Sequence, residues 1–304
     1  MTTSGPKRRS TWLAGLLSLL QPGLGQLYCG RWRAAGLFYG LLMIWLLAAV
    51  AGLSASSPLW FAIGWLLAAS VVLLLPVASV EAALGARRMQ EFHPVWYARW
   101  YVCLFVFVVM AVGTVLYSEM LKARVSAFHI PATSMVPALR VDDYVLVQRT
   151  PAGGSVIRPC DIVVFRKPGL AREAEVDYVK RAIALPGDRV SYVGGRLRLN
   201  GKFVARKQVG SDAEGTIYRE TLPSGCSYLI RERYDNGPLD NTGESTVPPD
   251  SFYALGDDRD DSLDSRMPSV GPIPFNNYRG RVVLIYWSKD WSRIGTMFHS
   301  ESLH

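Results

Sequence analysis

The sequence predicts an N-terminal α-helical membrane region, about three spans plus a re-entrant or interfacial hairpin, followed by a mostly-β domain in water. Two observations predict the first part. Residues 34–80 and 100–118 carry no charge, and cations gather beside these runs rather than within them. A third observation predicts the second part. Beyond residue 120 the chain breaks into short β-type runs separated by Gly, Pro and Asp clusters. The division therefore falls between an anchor region, 1–120, and an extracytoplasmic domain, 121–304.

The first uncharged run, 10–30, is interrupted by Gln21-Pro22-Gly23-Leu24-Gly25-Gln26, where Pro and Gly break a helix near its middle. Lys7, Arg8 and Arg9 precede the run, and Arg31 and Arg33 follow it. Cations favour the cytoplasmic side, so both ends belong there; a hairpin satisfies this and a full crossing does not. A cleaved signal peptide is the rival reading, but no A-x-A-like site follows a short apolar core. The run 34–80 is more than twice the ~20 residues of one crossing. It holds two spans, near 34–54 and 58–80, turning at Ser54-Ala55-Ser56-Ser57-Pro58. The third span lies near 99–118. With Arg31 and Arg33 inside, the turn is outside and Arg87, Arg88 and Arg99 return inside. The third span then delivers everything after about residue 120 to the periplasmic or extracellular side of a bacterial cytoplasmic membrane. The lipid bilayer is thus the first expected partner.

The net charge of +8 does not point to nucleic acid. Such a site gathers Lys and Arg on one element with aromatics between them. Here the cations flank apolar runs or mingle with acids, so no nucleic-acid partner is expected. The four cysteines form no CxxC pair, no metal-ligand spacing occurs, and neither a metal nor an organic cofactor is expected. Cys160 and Cys226 can pair in an oxidising compartment, which the sequence alone leaves open. Nucleotide-binding GxGxxG and GxxxxGK[ST] patterns are absent.

In the second half, runs at 144–148, 161–165, 178–184, 189–193, 196–199, 252–255 and 281–287 predict strands of an antiparallel domain or barrel. The stretch near 190–250 reads as an inserted subdomain or a long loop, because 210–249 is poor in apolar runs.

Three stretches carry chemistry. Ile130-Pro131-Ala132-Thr133-Ser134-Met135-Val136-Pro137-Ala138-Leu139 holds a serine between two prolines just beyond the last span. Turn serines commonly cap or fill, so alone it says little. Asp177-Tyr178-Val179-Lys180-Arg181-Ala182-Ile183-Ala184-Leu185-Pro186-Gly187-Asp188 reads as a strand entering a turn. Alternation puts Tyr178 and Lys180 on one face and Val179 and Arg181 on the other. An exposed strand lysine is the ordinary reading. A lysine among apolar neighbours instead loses its proton more easily and serves as a general base. Leu255-Gly256-Asp257-Asp258-Arg259-Asp260-Asp261-Ser262-Leu263-Asp264-Ser265-Arg266 interleaves acids with arginines, lacks the EF-hand pattern, and suits a loop held by its own ion pairs.

Together these stretches resemble the three catalytic-domain signatures of bacterial type I signal peptidases, in order and after a membrane anchor. The family boxes run close to IPSGSMxPTL, YxKRxxGxPGD and GDNRDNSxDSR. This chain has IPATSMVPAL, YVKRAIALPGD and GDDRDDSLDSR. The likeness runs from about Phe128 to Trp287 and includes RPCDIVVF and RGRVVLIYWS.

The resemblance implies a signal-peptidase-like β fold and a membrane-bound serine endopeptidase acting on signal-peptide-bearing preproteins. It implies Ser134 as nucleophile, Lys180 as general base and Ser262 as the hydroxyl that orients the lysine. Asp264 and Arg266 match supporting positions. Arg181, Asp257 and Arg259 match positions that buttress the fold. Phe128, Ile130, Met135, Leu139, Tyr178 and Val179 match the walls of shallow pockets for small side chains. One departure bears on mechanism: many Gram-negative members have a serine two residues before the nucleophile as an oxyanion donor, where this chain has Ala132. A His-based triad is the competing mechanism. The histidines are His93, His129, His299 and His304, and only His129 lies near Ser134 in sequence. The extended membrane half keeps open a dedicated pilin- or conjugation-type precursor peptidase, and an inactive membrane scaffold is the non-enzymatic alternative.

Overall fold

The computed structural model describes residues 9–53, 58–89, 92, 95–149, 157–167, 176–234 and 237–298. Four residues of the expected turn, 54–57, lie outside that set, as do His93, His299 and His304. The chain divides into two compact units, Met1–Lys122 and Ala123–His304.

The first unit is helical: α1 (Thr11–Leu20), α2 (Leu24–Tyr28), α3 (Trp32–Leu53), α4 (Pro58–Ser70), α5 (Leu74–Arg88) and α6 (Trp100–Arg124). Helix α1 ends where Gln21-Pro22-Gly23 break it, and Gly23 takes φ +94°, which favours glycine. Helix α2 then folds back on α1. A Cβ on Gly25 would stand 2.0 Å from the Ala14 carbonyl oxygen, so the close approach requires glycine. The hairpin also packs on α5: Ser79 donates to the Gly15 carbonyl at 2.9 Å, and Ala14, Cys29, Ala82 and Ala86 form a small core. Between α4 and α5 the path tightens to a 3-10 turn, Val71–Leu73. Pro76 accounts for it, since a proline has no N–H for the carbonyl four residues back and its ring crowds that carbonyl. Among the described residues, three stretches are long and apolar enough to cross a membrane: Trp32–Gly52, Ala62–Arg88 and Trp100–Arg124.

The second unit is β-rich. Its strands are β1 (Val125–His129), β2 (Tyr144–Gln148), β3 (Ile162–Arg166), β4 (Asp177–Ala184), β5 (Arg189–Val193), β6 (Arg196–Leu199), β7 (Lys202–Phe203), β8 (Ala205–Asp212), β9 (Gly215–Thr221), β10 (Ser227–Glu232), β11 (Thr242–Thr246), β12 (Ser251–Leu255), β13 (Ile273–Pro274) and β14 (Tyr278–Trp287). They form a seven-stranded sheet ordered β1-β2-β14-β3-β4-β12-β13, a four-stranded sheet β11-β5-β6-β7 and a three-stranded sheet β10-β9-β8. The named strand pairs are antiparallel. The stretch 205–246, open to a loop reading from sequence, carries four of these strands. Its strand β8 is mostly exposed, so it shows little of the apolar alternation that announces a half-buried strand. Cys160, before β3, and Cys226, before β10, form a disulfide.

Val145, Val147, Ile162, Val164, Val282 and Ile285 of β2, β3 and β14 make one buried cluster with Ile130, Met135 and Leu139 of the serine stretch. The serine turn is therefore anchored by its own apolar residues. On the far side of β4, Ile183 and Ala184 join Tyr192, Leu197, Tyr228 and Ile230 in a second cluster.

Candidate active site

Ser134 lies on the turn that follows β1. Val136 N–H donates to the Thr133 carbonyl and Leu139 N–H to the Met135 carbonyl, each at 2.8 Å, which fixes the turn. Asp258 N–H donates to the Ser134 carbonyl at 3.2 Å, tying the Ser134 backbone to the late acidic loop. That approach depends on Gly256. A Cβ there would stand 2.6 Å from the Ser134 carbonyl oxygen and 2.1 Å from Ser262 Oγ.

Lys180 sits on β4, which pairs with β3 on one side and β12 on the other. A place inside the sheet, rather than at its edge, explains why so polar a side chain is only 5% exposed. Its Nζ donates to Ser134 Oγ at 2.6 Å. Burial pushes the ammonium from 10.5 down to about 8, against the upward pull of Asp264, Asp257 and Asp261. The Tyr178 ring lies 5.7 Å from Nζ, on the same face as alternation predicts.

The neighbouring charges are matched with one another. Arg181, on the opposite face of β4, makes two hydrogen bonds to Asp257, at 2.8 and 2.6 Å, and donates to the Cys160 carbonyl at 2.9 Å. Arg259 grips Glu220 at 2.6 and 3.2 Å, donates to the Gly256 carbonyl at 3.0 Å and meets the Tyr192 hydroxyl. Arg266 holds both oxygens of Asp264, at 3.0 and 2.9 Å. Burial raises the Asp264 carboxyl, but Arg266 and the Gly256 N–H outweigh that and hold it below its usual range. Sequence reading singled out these arginines and acids; it missed Glu220, Tyr192 and the role of Gly256. The close packing at Gly256 joins residues far apart in the chain and leaves no local pattern.

A cavity of about 640 Å³ opens onto the pair. Ser134, Lys180, Ser262, Ile130, Met135, Tyr178 and Val179 all line it. Phe128 and Leu139 do not. Leu139 is fully buried in the core cluster, because the turn carries it inward, and Phe128 packs against the same cluster. Asp264 and Arg266 stand behind the wall, fully or nearly buried. Ser262 Oγ is buried over Gly256, lies near enough to Asp264 to help lower that carboxyl, and makes no hydrogen bond to Lys180. Ala132 faces the cavity, whereas the Thr133 hydroxyl is taken by Asp261, to which it donates at 2.5 Å. His129 is exposed, 3.0 Å from Asp142, and is not part of the wall. The arrangement suits nucleophilic acyl chemistry: a hydroxyl, a poorly solvated amine touching it, and a largely apolar cleft beside both.

Known proteins similar to this chain include signal peptidases. A signal peptidase I of Pseudomonas aeruginosa is 33% identical over 189 residues, 54% of this chain and 65% of the relative. A signal peptidase I of Rickettsia typhi is 37% identical over 139 residues, 42% of this chain and 51% of the relative. The chain thus spans about half to two thirds of the length of these curated relatives. A signal peptidase I of Enterococcus faecalis V583, known from a crystal structure, is similar at 21% identity with a TM-score of 0.26, over 42% of this chain and 97% of that one. Residues 98–287 match the model of the family described as signal peptidase, peptidase S26. That match covers more than half of the sequence, and the chain belongs to this family.

Proposed function

We propose that this chain is a membrane-bound serine endopeptidase that removes signal peptides from exported preproteins, cutting after small-x-small sites. The observation that carries the reading is the 2.6 Å contact between Lys180 Nζ and Ser134 Oγ, with the amine buried and its pKa lowered to about 8. Neutral Lys180 takes the Ser134 proton as Oγ attacks the scissile carbonyl. The tetrahedral oxyanion is met by the Ser134 N–H, the donor left where Ala132 supplies no hydroxyl. Protonated Lys180 gives its proton to the leaving amine as the peptide bond breaks, then activates water to release the acyl group from Ser134. Ile130, Met135, Tyr178 and Val179 form the walls that admit only small side chains. Asp264 and Arg266 support the site from behind, and Ser262 serves by shaping the wall rather than by bonding the lysine.

The catalytic unit acts on the outer face of a bacterial cytoplasmic membrane. The cation distribution supports that side, as does the Cys160–Cys226 disulfide, a bond that persists in oxidising compartments. The test uses the purified full-length protein in detergent and a preprotein with an Ala-x-Ala site, with the cut mapped by mass spectrometry. Cleavage after the second Ala is expected, and Ser134→Ala and Lys180→Ala should each lower kcat/KM by about 10⁴-fold or more. No cleavage of this substrate, with efficient cleavage of a pilin-type precursor, would replace the reading by a dedicated peptidase. Cleavage surviving in Ser134→Ala would refute the site.

A further inference from the structure

The first unit contains a polar network that the proposed peptidase chemistry does not use. Ser18 Oγ donates to Gln26 Oε1 at 2.9 Å. Gln26 Nε2 lies 2.9 Å from both the Ala78 carbonyl and Glu81 Oε2. Arg31 Nη2 closes the network on Glu81 Oε1 at 2.6 Å. Ser18 and Gln26 are fully buried. Polar groups placed this way among apolar helices are costly and usually mark a function.

The network ends at a cavity of about 320 Å³ lined by Arg31, Glu81, Leu84, Gly85, Arg88 and Met89. Two arginines and one carboxylate line the cavity, and since Arg31 pairs with Glu81, Arg88 is the excess positive charge on the wall. The second guanidinium nitrogen of Arg31, Nη1, is buried against Gly85, where a Cβ would stand 2.0 Å from it, and has no hydrogen-bond partner among the described residues. Arg88 adds an exposed cation at the end of α5. The rest of the wall, Leu84 and Met89, is apolar. The site lies at the ends of two candidate spans, Trp32–Gly52 and Ala62–Arg88. Membrane-level basic pockets of this kind hold lipid head groups.

We propose that this cavity binds the phosphodiester of an anionic phospholipid in the cytoplasmic leaflet. Arg88 takes the phosphate, as a guanidinium fork does well, Arg31 stays on Glu81 and keeps that carboxylate from repelling the anion, and Leu84 and Met89 take the start of an acyl chain. The apolar wall favours a lipid over free phosphate, which has nothing to place there. The Gln21-Pro22-Gly23 break then has a purpose: it returns α2 so that Gln26 holds Glu81, and Glu81 holds Arg31 at the cavity.

Native mass spectrometry of the full-length protein in detergent tests this, with titrations of phosphatidylglycerol, phosphatidylcholine of equal chain length, and inorganic phosphate. Phosphatidylglycerol should be retained at a concentration about fivefold or more below that of phosphatidylcholine, and Arg88→Gln should weaken it about fivefold, the scale of one cation at an anionic bilayer surface. Arg88 lies outside the buried network, so this variant should keep the parent's thermal melt. Arg33→Gln, on a residue that does not line the cavity, should change nothing. Unchanged phosphatidylglycerol retention in Arg88→Gln, or displacement of the lipid by millimolar inorganic phosphate, would overturn the proposal.

Discussion

Consecutive residues of β4 place two cations on opposite faces of one strand, and the two are treated in opposite ways. Arg181 meets a carboxylate that matches its fork, with Asp257 on two of its nitrogens and a carbonyl on the third. Lys180 is equally removed from water, yet its described hydrogen bond goes to a neutral hydroxyl, and the nearest carboxylates act on it only through their charge. One face uses a buried cation to hold the sheet to the late loop. The other leaves a buried amine poorly compensated, and its proton loose. Position within a sheet therefore does not decide whether a buried charge is structural or reactive; the presence of a matching partner does.

Breaking the paired face should have the largest effect on folding. Arg181→Met removes the fork and leaves Asp257 buried and unpaired, and it should lower unfolding stability by about 3–5 kcal/mol in urea titration. On the reactive face, Gly256→Ala forces the Ser134 carbonyl and Ser262 apart. It should cut kcat/KM about 10²-fold, because small displacements of reacting groups cost that much. The contrast predicts a smaller effect of opposite sign for Lys180→Met. A lysine whose folded pKa lies below its unfolded value binds its proton more tightly in the unfolded chain. Its cost to stability is fully present below pH 8 and relieved as pH rises from about 8 towards 10.5. Lys180→Met should therefore be inactive yet more stable than the parent by about 1–3 kcal/mol at pH 7, and the gain should shrink by pH 10. A destabilised Lys180→Met would mean that the lysine is paired as well as Arg181 is.

Much of this contrast was legible in the sequence, because it depends on local order. Alternation along 177–184 put Lys180 with Tyr178 and opposite Arg181, and the uncharged runs marked the membrane half. The Pro-Gly break in the first run was equally plain, and the chain does turn at Gly23. What escaped was set by contacts between distant segments. Strands β8–β11 lack a strong apolar alternation. Gly256 matters only because the Ser134 carbonyl and Ser262 crowd it. Leu139 was expected on a pocket wall, but the Ser134 turn rotates it into the core. Ser262 was expected to bond Lys180, yet its hydroxyl is turned over Gly256, towards Asp264.

The central claim is that Lys180, not an imidazole, is the base that activates Ser134. The pH dependence of kcat/KM for an Ala-x-Ala preprotein tests it most directly. Only the neutral amine accepts the Ser134 proton, so activity should rise with pH through a midpoint near 8, the pKa of Lys180, and this limb should vanish in Lys180→Met. A rising limb centred near 6.5, the ordinary range of histidine, that persists in Lys180→Met would contradict the account.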